Sequence, residues 1–189
     1  MASLRTFIAV PLPPEVKQAA QRLARDLAVD GGGINWVEPQ QMHLTLKFLG
    51  SVRENETYEI CRALAQATAD WEAFDLVCGG AGAFPSIDRP RTLWIGTQAG
   101  TDEFSRLHSA IDEAMAGLGF KHDPPRFTPH LTIGRVKQPG PWLADLTKKL
   151  EENAEYDAGV AFVDEVVFYA SDLSPQGPTY TRVGAAELK

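Results

Sequence analysis

Apolar and polar positions along the chain switch between two periods, and each switch marks an element. Thr6-Phe7-Ile8-Ala9-Val10 is a continuous apolar run stopped by Pro11, the pattern of a central strand. Pro13 and Pro14 then open a helix at about Glu15, in which Val16, Ala19, Ala20, Leu23 and Leu27 recur at helical spacing. Gly31-Gly32-Gly33 ends it. With no strand before it and no Lys-Ser/Thr pair after it, this triple glycine reads as a loop and not as a phosphate cradle. Trp36 to Pro39 leads through a turn into a strand over 42–50. Ile60, Leu64, Ala67 and Trp71 predict a second helix from about 54 to 70.

Strands are expected over 74–78 and 93–96, separated by a Gly- and Pro-rich stretch, 79–91. Phe104, Leu107, Ile111 and Met115 line one face of a third helix over 101–118. Its His108, next to Leu107, reads as a partly exposed helix residue. A short helix over 142–152 and two strands, 161–169 and 180–183, joined by a turn over 171–178, complete the chain. Helices and strands do not alternate as strict βαβ units and several strands fall in hairpin order, so the class is α+β with antiparallel sheets. No linker divides the chain, which predicts a single domain over 1–189.

One phrase occurs twice, about half a chain length apart: His43-Leu44-Thr45-Leu46 and His130-Leu131-Thr132-Ile133. In a strand, residues two apart project from one face, so each phrase presents an imidazole beside a hydroxyl and buries its aliphatic residues behind them. A helix would set His and Thr about 200° apart. An aliphatic-Thr-aliphatic run after any one His is roughly a one-in-several-hundred event at average composition. A single such phrase reads as a satisfied strand histidine; two point to a shared role. Each is preceded by a predicted helix, which suggests two similar lobes facing one another.

Two histidines near neutrality can supply one neutral and one protonated imidazole, a general base and a general acid. Phosphoryl transfer needs nucleophile and leaving group on opposite sides of phosphorus, and one His from each lobe meets that need, with Thr45 and Thr132 donating to non-bridging oxygens. Metal binding is disfavoured because neither phrase has a carboxylate or third ligand at a matching offset. A nucleophilic triad is disfavoured because no serine elbow occurs.

Charge and cysteine content narrow the picture. The net charge of −7 argues against a general nucleic-acid coat, so phosphate chemistry must use a local basic pocket. Lys121, Arg126, Arg135 and Lys137, against Asp123 alone, give a formal +3 around the second phrase. Arg135 is the best guanidinium for a phosphate. Strand parity objects, because 135 points away from 130 and 132 unless a bulge intervenes near Gly134; a surface role for Arg135 stays open. Lys47 shares the His43 face of a regular strand and could add positive potential there. Phe7, Trp36, Phe48, Trp94 and Phe127 lie near the phrases in sequence; most are expected in the core, though one at the cleft mouth could stack on a base. Cys61 and Cys78 stand alone, without CxxC or secretory pattern, and fit a reduced compartment. The short N-terminal apolar run is neither a signal sequence nor a membrane span, so the expected location is cytoplasmic.

The two phrases, the opening Arg5-Thr6-Phe7-Ile8-Ala9-Val10-Pro11-Leu12-Pro13, the stretch from His43 to Gly50, Trp94-Ile95-Gly96, Pro129-His130 with Arg135, and Val167-Phe168-Tyr169-Ala170-Ser171 together resemble the two-histidine phosphoesterase superfamily. More narrowly, they are similar to the bacterial and archaeal RNA 2′,3′-cyclic phosphodiesterases, historically called 2′-5′ RNA ligases. The resemblance implies a bilobal α+β fold with a cleft between two antiparallel sheets and helices on the outside. It implies hydrolysis of a terminal RNA 2′,3′-cyclic phosphate to a 2′-phosphate with no metal or other cofactor. His43 would be the proton donor, His130 the proton acceptor, and Thr45, Thr132 and Arg135 the phosphate ligands. The expected partner is an RNA end, met by a monomer with no obligate protein partner and no membrane. A 2′-5′ ligase working in the same cleft, and a silent RNA-end binding module, are the alternatives.

Overall fold

A computed structural model describes residues 3–174 and 177–189. The opening apolar run lies in β1 (Ser3–Pro11), where Phe7 to Val10 are buried on both sides of the strand. Pro14 starts α1 (Pro14–Leu27) at a position where its missing N–H would have had no helical partner, and the predicted apolar face is the buried one. Next come β2 (Gly33–Trp36), β3 (His43–Arg53), α2 (Thr57–Thr68), β4 (Phe74–Phe84), β5 (Thr92–Thr97) and α3 (Thr101–Ala116). The chain continues through β6 (Leu131–Gln138), α4 (Leu143–Glu152), β7 (Asp157–Val163), β8 (Glu165–Ser174) and β9 (Gly177–Glu187).

Three predicted elements differ from those observed. β2 takes up residues whose sequence reads as loop and turn. β4 runs on through Gly79-Gly80-Ala81-Gly82, a stretch whose composition predicts a loop; Gly82 makes room for Trp94, its partner on β5, where any Cβ would collide with the indole. The 161–169 run is two strands that part at Asp164, β7 pairing with β4 and β8 with β1. The tip of the predicted 171–178 turn, residues 175 and 176, lies outside the described residues.

All the strand pairs are antiparallel, and among the described residues nine strands form one sheet in the order β7-β4-β5-β6-β3-β1-β8-β9, with β2 paired to β6. The two separate sheets expected from the sequence are therefore joined, and the join is slight. β3 and β6 share a single paired position, Leu44 opposite Leu131. Extra residues at several points in the pairings, two of them between β1 and β3, bend the strands and curl the sheet. α1 and α4 pack against the half containing β4, β6 and β7, α2 packs against β9, and α3 lies against β3 and β4. Leu44, Leu46, Leu131 and Ile133 are buried in the core beneath them. The class is thus mixed α and β, as expected. Among the described residues no helix is long and apolar enough to cross a membrane.

Candidate active site

The alternation read in the two phrases holds at the point that matters. Leu44 and Leu131 face the core, while His43, Thr45, His130 and Thr132 all line one cavity of about 620 Å³. His43 opens β3, and His130 immediately precedes β6.

Each imidazole is held by the same local device. His43 Nδ1 donates to the carbonyl of Gln41 at 2.8 Å, and His130 Nδ1 donates to the carbonyl of Thr128 at 2.7 Å. A carbonyl only accepts, so the proton of each neutral ring sits on Nδ1. That leaves Nε2 on both rings as the basic nitrogen, with no hydrogen-bond partner among the described residues.

Arg135 lines the same cavity. The parity objection is resolved by a bulge: Trp94 pairs with Thr132 but Leu93 pairs with Gly134, so Ile133 is an extra residue that resets the alternation. Arg135 Nη1 then donates to Thr92 Oγ1 at 3.4 Å across the strands. Gly134 is required here by close approach, because a Cβ would lie 2.9 Å from the Trp36 ring.

A bulge of the same kind moves Lys47 away. Thr45 pairs with Ala9 and Lys47 with Ile8, so Leu46 is extra and Lys47 turns from the cleft into the core side. Its side chain is 1% exposed, and Nζ donates to Asp112 Oδ1 at 2.5 Å and to the Lys121 carbonyl at 2.9 Å, with Asp123 at 3.2 Å. Lys47 therefore adds no positive potential to the cleft. His108 also departs from expectation: it is buried, its Nε2 lies 3.1 Å from Asp123 Oδ2, and it stacks on Phe127 at 3.7 Å between ring centroids.

Aromatic rings enclose both histidines. Phe7 stacks on His43 with centroids 4.7 Å apart, Tyr180 meets it edge-on at 5.2 Å, and Phe84 meets His130 edge-on at 5.0 Å. Phe48, 67% exposed, lines the cavity as well. Phe84 and Tyr180 carry no signal in the sequence, the first because its stretch reads as a loop and the second because only pairing with β8 brings it here.

Burial disfavours the charged imidazole and sets the electrostatics. It carries His43 down to about 4, against a partly compensating hydrogen bond to Gln41 and with a further push from Lys17. His130 is lowered too, first by burial and then by the Arg135 guanidinium, while its bond to Thr128 opposes the shift. Both rings are therefore neutral at neutral pH. Among the described residues no group of three or more His, Cys, Asp or Glu is arranged to hold a metal ion.

Comparison with known proteins agrees with this architecture. The model of the 2′-5′ RNA ligase superfamily matches residues 11–174. A protein of Thermotoga maritima named RNA 2′,3′-cyclic phosphodiesterase is 35% identical over 177 residues, covering 94% of this chain and 91% of the relative. One of the same name from Archaeoglobus fulgidus is 33% identical over 177 residues, covering 94% and 96%. A crystal structure of a Thermus thermophilus protein superposes with a TM-score of 0.81 at 28% identity, covering 98% of both chains. Sequence likeness across most of its length and backbone likeness across nearly all of it place the chain in the 2′-5′ RNA ligase superfamily.

Proposed function

We propose that this chain is an RNA 2′,3′-cyclic phosphodiesterase, opening the terminal cyclic phosphate of an RNA to a 2′-phosphate without a metal. The observation that carries the reading is the matched pair of imidazoles: each is fixed through Nδ1 to its own backbone, and each keeps Nε2 for chemistry in one cavity that also holds Thr45, Thr132 and Arg135. The two halves of the sheet act as two lobes of one unit, each contributing one His and one Thr.

In this reading His130 Nε2 takes a proton from water as its oxygen attacks phosphorus. His43, protonated on Nε2, gives that proton to the 3′ oxygen as the P–O3′ bond breaks. Water is consumed, a 3′-hydroxyl and a 2′-phosphate form, and proton exchange with solvent resets the pair. His43, lowered to about 4 by burial, holds no proton of its own at neutral pH. The bound phosphate anion supplies the charge that draws a proton onto it. Thr45, Thr132 and Arg135 hold the non-bridging oxygens. The names of the relatives agree with this activity. We assign it to RNA ends in the cytoplasm and to a monomeric enzyme.

The test is hydrolysis of an oligoribonucleotide ending in a 2′,3′-cyclic phosphate, in the presence of EDTA, with the product identified. A 2′-phosphate is expected. His43→Ala and His130→Ala should each lower the rate by about 10²–10⁴-fold while leaving the fold intact. A 3′-phosphate product, activity restored only by metal, or full activity in both variants would reject the mechanism. Including a 5′-hydroxyl RNA tests the ligation that the superfamily's name carries, a 2′-5′ bond formed when that hydroxyl replaces water as the nucleophile and the 3′ oxygen leaves.

A further inference from the structure

The catalytic cavity continues in two directions. Past Thr45, Phe84 and His130 it meets a smaller cavity of about 350 Å³ containing Asp123, Arg126 and Phe127. Past Arg135 and Tyr180 it opens into a groove of about 630 Å³ along β2 and β6, lined by Asn35, Trp36, Gln41 and Lys137. The two exits differ in the number of cations outside ion pairs. In the smaller one Lys47 is committed to Asp112 and Asp123, which leaves Arg126 as the cation outside any ion pair among the described residues. In the groove Arg135 and Lys137 are both exposed, against one carboxylate, Glu38.

We propose that the groove along β2 and β6 is a binding site for the RNA strand upstream of the cyclic end. It takes the backbone phosphate of the penultimate nucleotide on Lys137 and offers the face of Trp36 to that nucleotide's base. The inference rests on the reading that the substrate is an RNA end. Arg135 lines both cavities and so joins the reacting phosphate to the next one. Lys137 is the extra residue of a bulge, since Val136 pairs with Ile34 but Gln138 with Gly33, and it lines the groove together with Arg135. Trp36 is held in place because its ring rests over Gly134 and its strand pairs with β6. A cationic track beside an aromatic platform is the arrangement that binds single strands without reading their sequence. The site therefore selects for an oligonucleotide over a mononucleotide and is indifferent to base.

The experiment compares kcat/KM for a mononucleoside 2′,3′-cyclic phosphate with that for a short oligoribonucleotide carrying the same end. Lys137→Glu should lower the oligonucleotide value by about tenfold, leave the mononucleotide value within about twofold, and reduce the salt slope of the oligonucleotide reaction by about 0.7. Trp36→Ala, checked for folding by circular dichroism, should lower the same ratio, and Arg126→Glu should not. Equal losses on both substrates, no change with Lys137→Glu, or a collapse of the ratio with Arg126→Glu would overturn the proposal. If the unmodified protein hydrolyses neither substrate, the phosphodiesterase reading itself has failed, which is a separate result.

Discussion

His43 and His130 share a backbone tether but differ in surroundings, and pH dependence follows from both facts. Both are held below the ordinary imidazole value, His43 at about 4, so at neutral pH neither carries the proton that the leaving oxygen needs. The profile of kcat/KM reports the free enzyme, and it should peak below pH 6.5 and fall about tenfold per unit above the higher of the two values. A phosphate anion between the rings favours the imidazolium, so the alkaline limb of kcat should lie at higher pH than that of kcat/KM. Coincident alkaline limbs above pH 7 would contradict these electrostatics. Such a profile belongs to the pair and does not by itself assign donor and acceptor. At this scale the sequence is highly legible. A His and a Thr two apart, written twice, need only strand parity to become one site, and Arg135 stands out by charge even though parity speaks against it.

Elements are legible where period alone defines them and illegible where a partner strand decides. α1 and α3 bury the apolar faces their spacing predicts, because helical hydrogen bonds are local and the pattern is self-contained. The bulges at Leu46 and Ile133 exist only as mismatches with β1 and β5; Gly134 hints at the second, and nothing within β3 announces the first. They reverse the fates of two cations, sending Lys47 inward and Arg135 into the cleft. Lys47 becomes a tie between β3, α3 and the segment before β6, where Asp123 in turn contacts His108, His108 stacks on Phe127, and the next residue, Thr128, holds His130. Burial works to raise the Asp112 carboxyl, but hydrogen bonds from Lys47, His122 and the Asp123 amide bring it down to about 2, so it remains ionised opposite the buried ammonium. Lys47→Met should therefore destabilise the fold by about 3–5 kcal/mol, seen as a lower urea midpoint, because it strands a carboxylate. Adding Asp112→Leu should recover part of that loss. An unchanged midpoint for Lys47→Met would show that the tie contributes little.

For the molecule as a whole, duplication suggests two halves, and it cannot reveal that they form one sheet. Pairing between strands almost ninety residues apart leaves no mark within either strand. Leu44 and Leu131 make the single paired position between β3 and β6, and each sits between the His and the Thr of its own phrase. The weakest line of the sheet thus runs through the middle of the catalytic groups. A crack opening there would separate the acid from the base. A phosphate gripped by groups from both sides is then a stitch across the crack. Saturating inorganic phosphate should raise the melting temperature, by about 2.7 kcal/mol of added stability at a hundred times its Kd, and should slow amide exchange most at residues 44 and 131. Uniform slowing across the sheet would show no such fault. What the enzyme cuts would be, while it is bound, part of what holds the enzyme shut.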